Sequence, residues 1–371
     1  MTRIAFVLTQ DRGGPVDVTV TLARSLLARG DTDVAVFGPT PAGRGDALGD
    51  HLRPIEVGSK FDAGAMRRLR ARVRAWRPDI THAQDRRAAL VVAGVGAPNS
   101  LGIAVWTYHG VPYDVSQQWF SGSPGSRPPS GYSRAVLAAD AAVARRTARV
   151  IAPSSSMGTF LRSRLRVPAD TVVQIANGVD LPPASALTGP VRRLVFIGNL
   201  NPVKGLLDLL AALSRPGVMP PDATLDVVGD GPVRDHAEEI AARPPLTGRV
   251  RFLGFRPGAA ELLPGYDALV MASRIEQQPL VVAQAMGAGR PVLATRVGDV
   301  PDMVDIGCGA SFLAEPGDVG GLAAALVALF RATDAPTVGR RLAARARERY
   351  SAAASAEAHV ELYRVMLAGR R

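Results

Sequence analysis

The stretch from Met271 to Val304 constrains the fold of this chain more than any other part of the sequence. The apolar run Ala268–Ser273 that leads into it has the length of a buried strand. Pro279 then occupies a favourable first helical position, and the residues after it are apolar on nearly every side except at Gln284. Two glycines end this helix before a second apolar run, PVLAT. Strand, helix and strand in this order predict a parallel α/β domain.

The predicted helix carries polar chemistry at its amino end. A helix that starts at the carboxyl end of a parallel strand points unpaired backbone N–H groups into the crevice where such folds bind ligands. These N–H groups run from about Gln278 to Val281, and we expect Gln277, Gln278, Pro279 and Leu280 to contact the donor. The amino end of the helix is the predicted phosphate site, because helix amino ends favour anions.

Glu276 and Gln284 lie on either side of this predicted phosphate site. Glu276 comes just before the helix, and Gln284 lies about 7.5 Å along the axis from Pro279, at about 1.5 Å per residue. An acid, an anion site and an amide in this order indicate a nucleotide sugar, whose hydroxyl groups would separate the carboxylate from the phosphate. The alternative is a capping acid followed by an ordinary core helix.

The stretch resembles the signature of retaining glycosyltransferases of family 4, which have the GT-B fold. That signature runs E-G-x-P-L-x-x-x-E-A-M-A-x-G-x-P-V and is followed by a G-x-x-P-E turn. The matching residues here are Glu276, Pro279, Leu280, Gln284, Ala285, Met286, Gly289, Pro291 and Val292, then Gly298, Pro301 and Asp302. The resemblance implies that Glu276 faces the donor sugar. It also implies that Gln284, which replaces the second glutamate, binds the donor ribose with an amide instead of a charge.

A second resemblance to the same family lies at Lys204. The family pattern G-R-x-x-x-x-K-G has Asn199 at its arginine and Lys204 at its lysine, and both cations of the family contact the diphosphate. We therefore expect Lys204 to bind the diphosphate and Asn199 to lack that charge, unless Arg12 or Arg274 replaces it. Further strands end in glycine turns, and the resemblance places Gly229, Phe255 and Arg256 around the nucleotide, with the base bound largely by backbone groups.

The first part of the chain predicts the acceptor side. After the strand Arg3–Leu8, Gly13 and Gly14 allow close approach of the backbone to a ligand. The fingerprint G-x-G-x-x-G of dinucleotide enzymes is absent, which disfavours a dehydrogenase. Asp31-Thr32-Asp33 precedes a strand, so it indicates a solvated turn and not a metal site. A later strand ends at His109, where the family has a histidine beside the reacting sugar; the alternative is a histidine that merely ends a strand.

Aromatic residues follow His109 in an unusual segment. Tyr113, Trp119 and Phe120 precede the run SGSPGSRPPSGYS, whose composition predicts no regular structure. Aromatic rings beside such a segment are typical of a lid or an acceptor platform. Core packing next to a disordered loop explains the same residues equally well.

Composition limits the remaining possibilities. The 371 residues, 47% of them hydrophobic, suffice for two domains, and the single cysteine, Cys308, excludes an internal disulfide. The first residues show neither a signal peptide nor a membrane span, so we expect a cytoplasmic protein. Most of the net charge of +11 lies in residues 1–184. The basic amphipathic helix Met66–Trp76 there indicates either a solvated face or contact with the inner face of a membrane, whereas no motif indicates nucleic acid.

We therefore expect an α/β protein of the GT-B class, with two Rossmann-like doubly wound domains facing each other across a cleft. Residues 1–184 form the acceptor domain, residues 185–349 the donor domain, and a helix at about 350–367 packs back onto the first. The expected reaction is retaining transfer of a sugar from a nucleotide-diphosphate sugar to an acceptor hydroxyl, without metal or cofactor. The acceptor is a specialised metabolite, a lipid or a polysaccharide. The alternatives are a catalytically impaired accessory protein and, less favoured, a nicotinamide-dependent enzyme.

Overall fold

A computed structural model describes residues 1–56, 62–93, 101–307 and 312–369. Cys308, named above for its bearing on disulfides, lies outside these ranges. The described chain forms two compact units. Unit 1 comprises Met1–Val179 together with the chain from Ala352, and unit 2 comprises Asp180–Ser351.

Unit 1 is a doubly wound α/β domain around a parallel sheet. Its strands are β1 (Thr2–Val7), β2 (Thr32–Gly38), β3 (Leu52–Pro54), β4 (Ile80–Ala83), β5 (Ile103–Thr107), β6 (Arg149–Ala152) and β7 (Val172–Gln174), in the spatial order β3-β2-β1-β4-β5-β6-β7. Its first helices are α1 (Gly14–Arg29), α2 (Ala63–Trp76), α3 (Arg86–Ala93), α4 (Gln117–Ser121), α5 (Gly131–Ala144) and α6 (Ser155–Ser163). The central strands are buried over most of their length, as expected from their apolar runs.

Unit 2 repeats this architecture with six parallel strands. They are β8 (Arg193–Ile197), β9 (Thr224–Val228), β10 (Val250–Gly254), β11 (Ala268–Met271), β12 (Val292–Thr295) and β13 (Phe312–Ala314), in the order β10-β9-β8-β11-β12-β13. The helices are α7 (Leu206–Leu213), α8 (Arg234–Ala241), α9 (Leu280–Gly287), α10 (Val300–Val304), α11 (Val319–Arg331) and α12 (Ala335–Arg349). The predicted pair of Rossmann-like domains is confirmed.

The last helix, α13 (Ala352–Ala368), belongs to unit 1. Val360 and Tyr363 are buried in the same apolar core as Ile4 of β1, and each such side chain contributes about 1.5–3 kcal/mol by leaving water. Helical spacing in the sequence also predicts Val365 on the apolar face, but its side chain is 57% exposed.

The chain passes between the units at Val179, five residues before the predicted boundary at residue 184. The reason lies in how the following residues pack. Leu187 is buried in the core of unit 2, and the Ser185 N–H donates to the carbonyl of Ala288 at 3.3 Å. Residues 181–190 have the composition of a linker. In the structure they are nevertheless part of unit 2.

Both sheets have a point where the strand order reverses, between β1 and β4 in unit 1 and between β8 and β11 in unit 2. Successive loops diverge there and leave a crevice at the carboxyl ends of the strands, which is where open α/β sheets bind ligands. No single helix within the described ranges is long and apolar enough to cross a membrane. Only α11 and α12, taken together across a bend of 105°, meet the criteria of length and composition.

Candidate functional site

The reversal point of unit 2 is built by close backbone packing between the loops after β8 and β11. Gly205, with φ +69°, lies against the backbone of Ala272, and a Cβ at this position would clash with the Ala272 carbonyl oxygen. Gly298, from the loop after β12, packs in the same way against the carbonyls of Glu276 and Gln277. Only glycine allows such contact. The result is a rigid frame for the side chains that these loops carry.

Lys204 and Glu276 meet across this frame. The Lys204 Nζ lies 2.5 Å from Glu276 Oε1, which also accepts a hydrogen bond from Ser273 Oγ at 2.9 Å. The lysine side chain is 32% exposed and the glutamate side chain 15% exposed, so both charges are partly desolvated but accessible. The sequence placed both residues in one site, and it did not predict that they form an ion pair.

Helix α9 begins at Leu280, one residue later than predicted. Pro279 is its N-cap, with φ −69° and ψ 120°, and its carbonyl accepts the first helical hydrogen bond from Val282 at 3.1 Å. A proline ring fixes φ alone, so the residue fits the cap as well as the first turn. The N–H groups of the first turn, from Leu280 onward, have no acceptor within the helix.

The other residues predicted around α9 differ in exposure. Gln277 and Gln278 are buried, and Gln277 Oε1 has no hydrogen-bond partner in the described part of the chain. Leu280 and Gln284 are half-buried. Gln284 lies one turn beyond Leu280 and can therefore reach a group bound beside the helix.

The predicted nucleotide contacts follow β8, β9 and β10. Gly229, at φ +144°, lies against the carbonyl of Gly198 so closely that a Cβ would clash. Asn199 is exposed, and so are Phe255, at 75%, and Arg256. Since the carboxyl ends of adjacent parallel strands share one edge, these residues lie at the same edge of the sheet as Lys204.

The two arginines considered as replacements for the cation missing at Asn199 are both in ion pairs. Arg274 binds Asp208 at 3.0 Å through two nitrogens. Arg12, in unit 1, lies 3.1 Å from Asp11 and is 79% exposed. The Arg274 guanidinium is more than half exposed, at 57%, and therefore has hydrogen-bond capacity left.

In unit 1, the loop after β1 places two predicted residues at the amino end of α1. Gly13 has φ +99° and is the N-cap of the helix, and Gly14 is its first residue. Both are exposed. The helix is 16 residues long, and its amino end lies at the reversal point between β1 and β4.

His109 lies just beyond β5. Its Nε2 is 3.0 Å from the Oε1 of Gln84, which directly follows β4 and is 1% exposed. Burial, and then the neighbouring His359, lower the pKa of His109 to about 3. The imidazole is therefore neutral at pH 7, with one nitrogen that donates and one that accepts.

The aromatic residues after His109 were interpreted either as an acceptor platform or as core packing, and the structure shows features of both. Trp119 and Phe120 pack against Phe160 of α6, with ring centroids 6.0 and 4.8 Å apart. Phe120 is buried in the core, and Trp119 is half-buried beside it. Tyr113 is 88% exposed and fits an acceptor platform. The expectation of no regular structure is wrong at the end of the run, because Ser130 caps α5 and the helix begins at Gly131.

The basic helix α2 buries Leu69 and Val73 and exposes Arg67, Arg68 and Arg74. This geometry fits both a solvated face and a membrane contact.

The sequence did not predict the polar network after β4. Asp85 accepts hydrogen bonds from the Thr9 N–H at 2.5 Å and the Thr9 hydroxyl at 2.7 Å, across the reversal point of unit 1. Arg86 binds both oxygens of the buried Asp140 at 2.8 Å and donates to the Gly110 carbonyl at 3.0 Å. Consecutive polar residues directly after a buried strand were the available signal, and their partners are far apart in the sequence.

Comparisons with known proteins agree with this geometry. The family model described as Glycosyltransferase Family 4 matches residues 12–182, and the model described as Glycosyl transferases group 1 matches residues 191–332. The crystal structure of Anabaena HepE in complex with UDP and glucose has 22% sequence identity and a TM-score of 0.76, over 98% of this chain and 99% of that one. The fold is therefore GT-B, as predicted.

Two characterised relatives support the same class. Glycogen synthase of Mycobacterium tuberculosis is 30% identical over 284 residues, which are 74% of this chain and 65% of that protein. The 2-deoxystreptamine N-acetyl-D-glucosaminyltransferase of Streptomyces fradiae is 30% identical over 272 residues, 67% of this chain and 62% of that protein. The chain thus spans somewhat less than two thirds of the length of either relative. A glycosyltransferase family model thus matches each of the two units.

Proposed function

We propose that the protein transfers a sugar from a nucleotide-diphosphate sugar to an acceptor hydroxyl, with retention of anomeric configuration and without a metal. The observation that carries this proposal is the Lys204–Glu276 ion pair at the reversal point of unit 2. A cation and an anion held 2.5 Å apart by two loops suit a ligand that has both a diphosphate and a polyhydroxyl group.

Each group has a role in the proposed mechanism. Lys204 and the first-turn N–H groups of α9 bind the diphosphate and stabilise the charge that develops as the bond from the sugar to phosphate breaks. Glu276 accepts hydrogen bonds from the donor hydroxyls. Gln284 contacts the ribose. The acceptor hydroxyl, bound by unit 1, attacks the same face of the sugar, and His109 orients the transferred sugar by a hydrogen bond.

The donor is tested by thermal unfolding with UDP, GDP, ADP and TDP sugars, followed by transfer assays. A ligand at 100 times its dissociation constant stabilises the folded state by about 2.7 kcal/mol. We expect one nucleotide to stabilise the protein and Glu276→Ala to abolish transfer while the fold stays intact. Unchanged turnover in Glu276→Ala would refute the mechanism, and chelation of divalent metals is expected to leave the rate unchanged.

The second candidate is an accessory protein that binds nucleotide sugars without turnover. Asn199 and Gln284 favour it, because both depart from the family pattern at donor-contacting places. Nucleotide binding with no transfer from any donor would support this role. The combined variant Asn199→Arg with Gln284→Glu separates an impaired site from a retuned one, since it regains transfer only in the first case.

The acceptor is proposed by class alone. The relatives named above act, by their names, on a glycan and on an aminocyclitol, so polysaccharide and specialised-metabolite acceptors are the first to assay. A lipid acceptor, with the exposed arginines of α2 on the inner face of a membrane, is the third. Cosedimentation with anionic vesicles tests it, because binding through these arginines weakens as salt is raised.

A further inference from the structure

The three residues that follow β4 organise the loops of unit 1. Asp85 fixes the loop after β1 through Thr9, and Arg86 fixes the carbonyl of Gly110 after β5. Each of these two hydrogen bonds is made to a backbone group of the neighbouring loop. Gln84, the first of the three, instead contacts a side chain, the imidazole of His109.

The Gln84 amide is unusual in its surroundings. The side chain is 1% exposed, its Oε1 accepts from His109 Nε2 at 3.0 Å, and its Nε2 has no hydrogen-bond partner in the part of the chain that the structure describes. A buried N–H without a partner costs folding free energy, and an apolar side chain of the same size would avoid that cost. The one contact that the amide makes therefore has a use other than stability.

That contact selects one form of the imidazole. A neutral histidine carries one proton, and an amide oxygen at Nε2 requires it to be there, which leaves the lone pair on Nδ1. Two other imidazoles, His82 on β4 and His359 on α13, interact electrostatically with this group of rings. Both ring nitrogens of His82 already have hydrogen-bond partners, Thr107 at one and Tyr363 at the other.

We propose that Gln84 is a positioning residue, which holds His109 as the Nε2-protonated tautomer so that Nδ1 accepts a hydrogen bond from the transferred sugar. This assignment rests on the function proposed above. It adds that His109 donates its Nε2 proton to Gln84 and not to the sugar. The sugar hydroxyl bound by His109 is then the donor of the hydrogen bond.

The first test needs no substrate. Long-range ¹H–¹⁵N NMR spectra separate the ring nitrogens of the five histidines, and His109→Gln assigns the ring of interest. We expect a protonated Nε2 at pH 7 in the wild type and a change of its ring shifts in Gln84→Leu. In Gln84→Glu, an accepting oxygen remains and its charge raises the pKa of His109. Thr107→Val is the matched control, because it removes a buried contact from His82 and leaves His109 in place.

The second test uses the transfer reaction. Gln84→Leu is expected to lower kcat roughly tenfold or more with little change in the KM of the donor, as expected when a tautomer is lost. Gln84→Glu restores the rate at high pH and loses it as the pH falls, because protonation removes the lone pair on Nδ1. Unaltered His109 shifts in Gln84→Leu would overturn the proposal, and so would an unchanged kcat. Absence of transfer in every protein would refute the proposed function, and the NMR result would still decide the role of Gln84.

Discussion

The two reversal points have the same strand order and opposite chemistry. In unit 2, the flanking loops are joined by glycine packing and present an accessible ion pair, Lys204 with Glu276. In unit 1, they are joined by the Asp85–Thr9 hydrogen bonds and present a neutral imidazole, His109, backed by Gln84. The topology decides where a ligand binds, and the few residues after each strand decide what it is. Under the proposed function, unit 2 binds the charged donor and unit 1 the uncharged hydroxyl.

The largest effect is expected at the charged reversal point. Lys204→Met removes the ammonium that we propose binds the diphosphate, and it should lower kcat/KM by roughly a thousandfold, as expected when a preorganised charge is removed from a leaving group. Lys204→Arg should recover only part of this, since a planar guanidinium cannot occupy the place of a compact ammonium. Initial rates at several donor concentrations give the measurement. The control is Arg296→Ala, which removes an exposed cation of unit 2 from its partner Glu315; an equal loss there would show that net charge and not Lys204 matters.

The pH dependence of stability should separate the units. Burial lowers the pKa of His359 to about 4 and the pKa of His82 well below 6.5. In the unfolded chain both bind a proton near pH 6.5, so unit 1 is stable above that pH and loses stability as the pH falls. The loss at pH 5 is about 2 kcal/mol for His359. His82 and His109, whose pKa values burial also lowers, add to the loss in the same direction. The one histidine in the sequence of unit 2, His236, is exposed and not buried, so we expect a smaller loss of stability there.

Tryptophan fluorescence reports this difference, because Trp76, Trp106 and Trp119, the three tryptophans of the sequence, all lie in unit 1. Denaturant titrations at pH 7.5 and pH 5 should show a lower free energy of unfolding at the lower pH. Hydrogen exchange in β8 and β11 should change little. A parallel decrease in both units would locate the titrating groups elsewhere, and His359→Gln should reduce the pH effect.

The same contrast between the two units explains which residues of the site the sequence predicts. Lys204 and Glu276 were predictable, because each lies in a local pattern of strand, loop and helix that fixes its place at the sheet edge. The proposed role of Gln84 was not, because it depends on a residue 25 positions away, just beyond the neighbouring strand. Periodicity also cannot distinguish a proline cap from a first helical residue, which is why the start of α9 was predicted one residue early.

The glycine frame of unit 2 predicts a stability effect without a change of charge. Gly205→Ala forces a Cβ against the Ala272 carbonyl and a side chain into a left-handed conformation, and it should cost roughly 3 kcal/mol. Faster hydrogen exchange in unit 2, with unit 1 fluorescence unaffected, is the expected result. Gly189→Ala is the matched control, since nothing lies within 4 Å of its added Cβ. If both variants were equally stable, the two loops would not be held by backbone packing.

The smallest effect concerns the helix that returns to unit 1. The Tyr363 hydroxyl lies 2.7 Å from His82 Nδ1, and both side chains are buried. Tyr363→Phe keeps the ring in the core and removes only this contact, so it should destabilise unit 1 by about 1 kcal/mol. The fluorescence midpoint in denaturant measures it. An unchanged midpoint would mean that the hydrogen bond between the Tyr363 hydroxyl and His82 contributes no net stability, and that α13 is held to unit 1 by its apolar side chains.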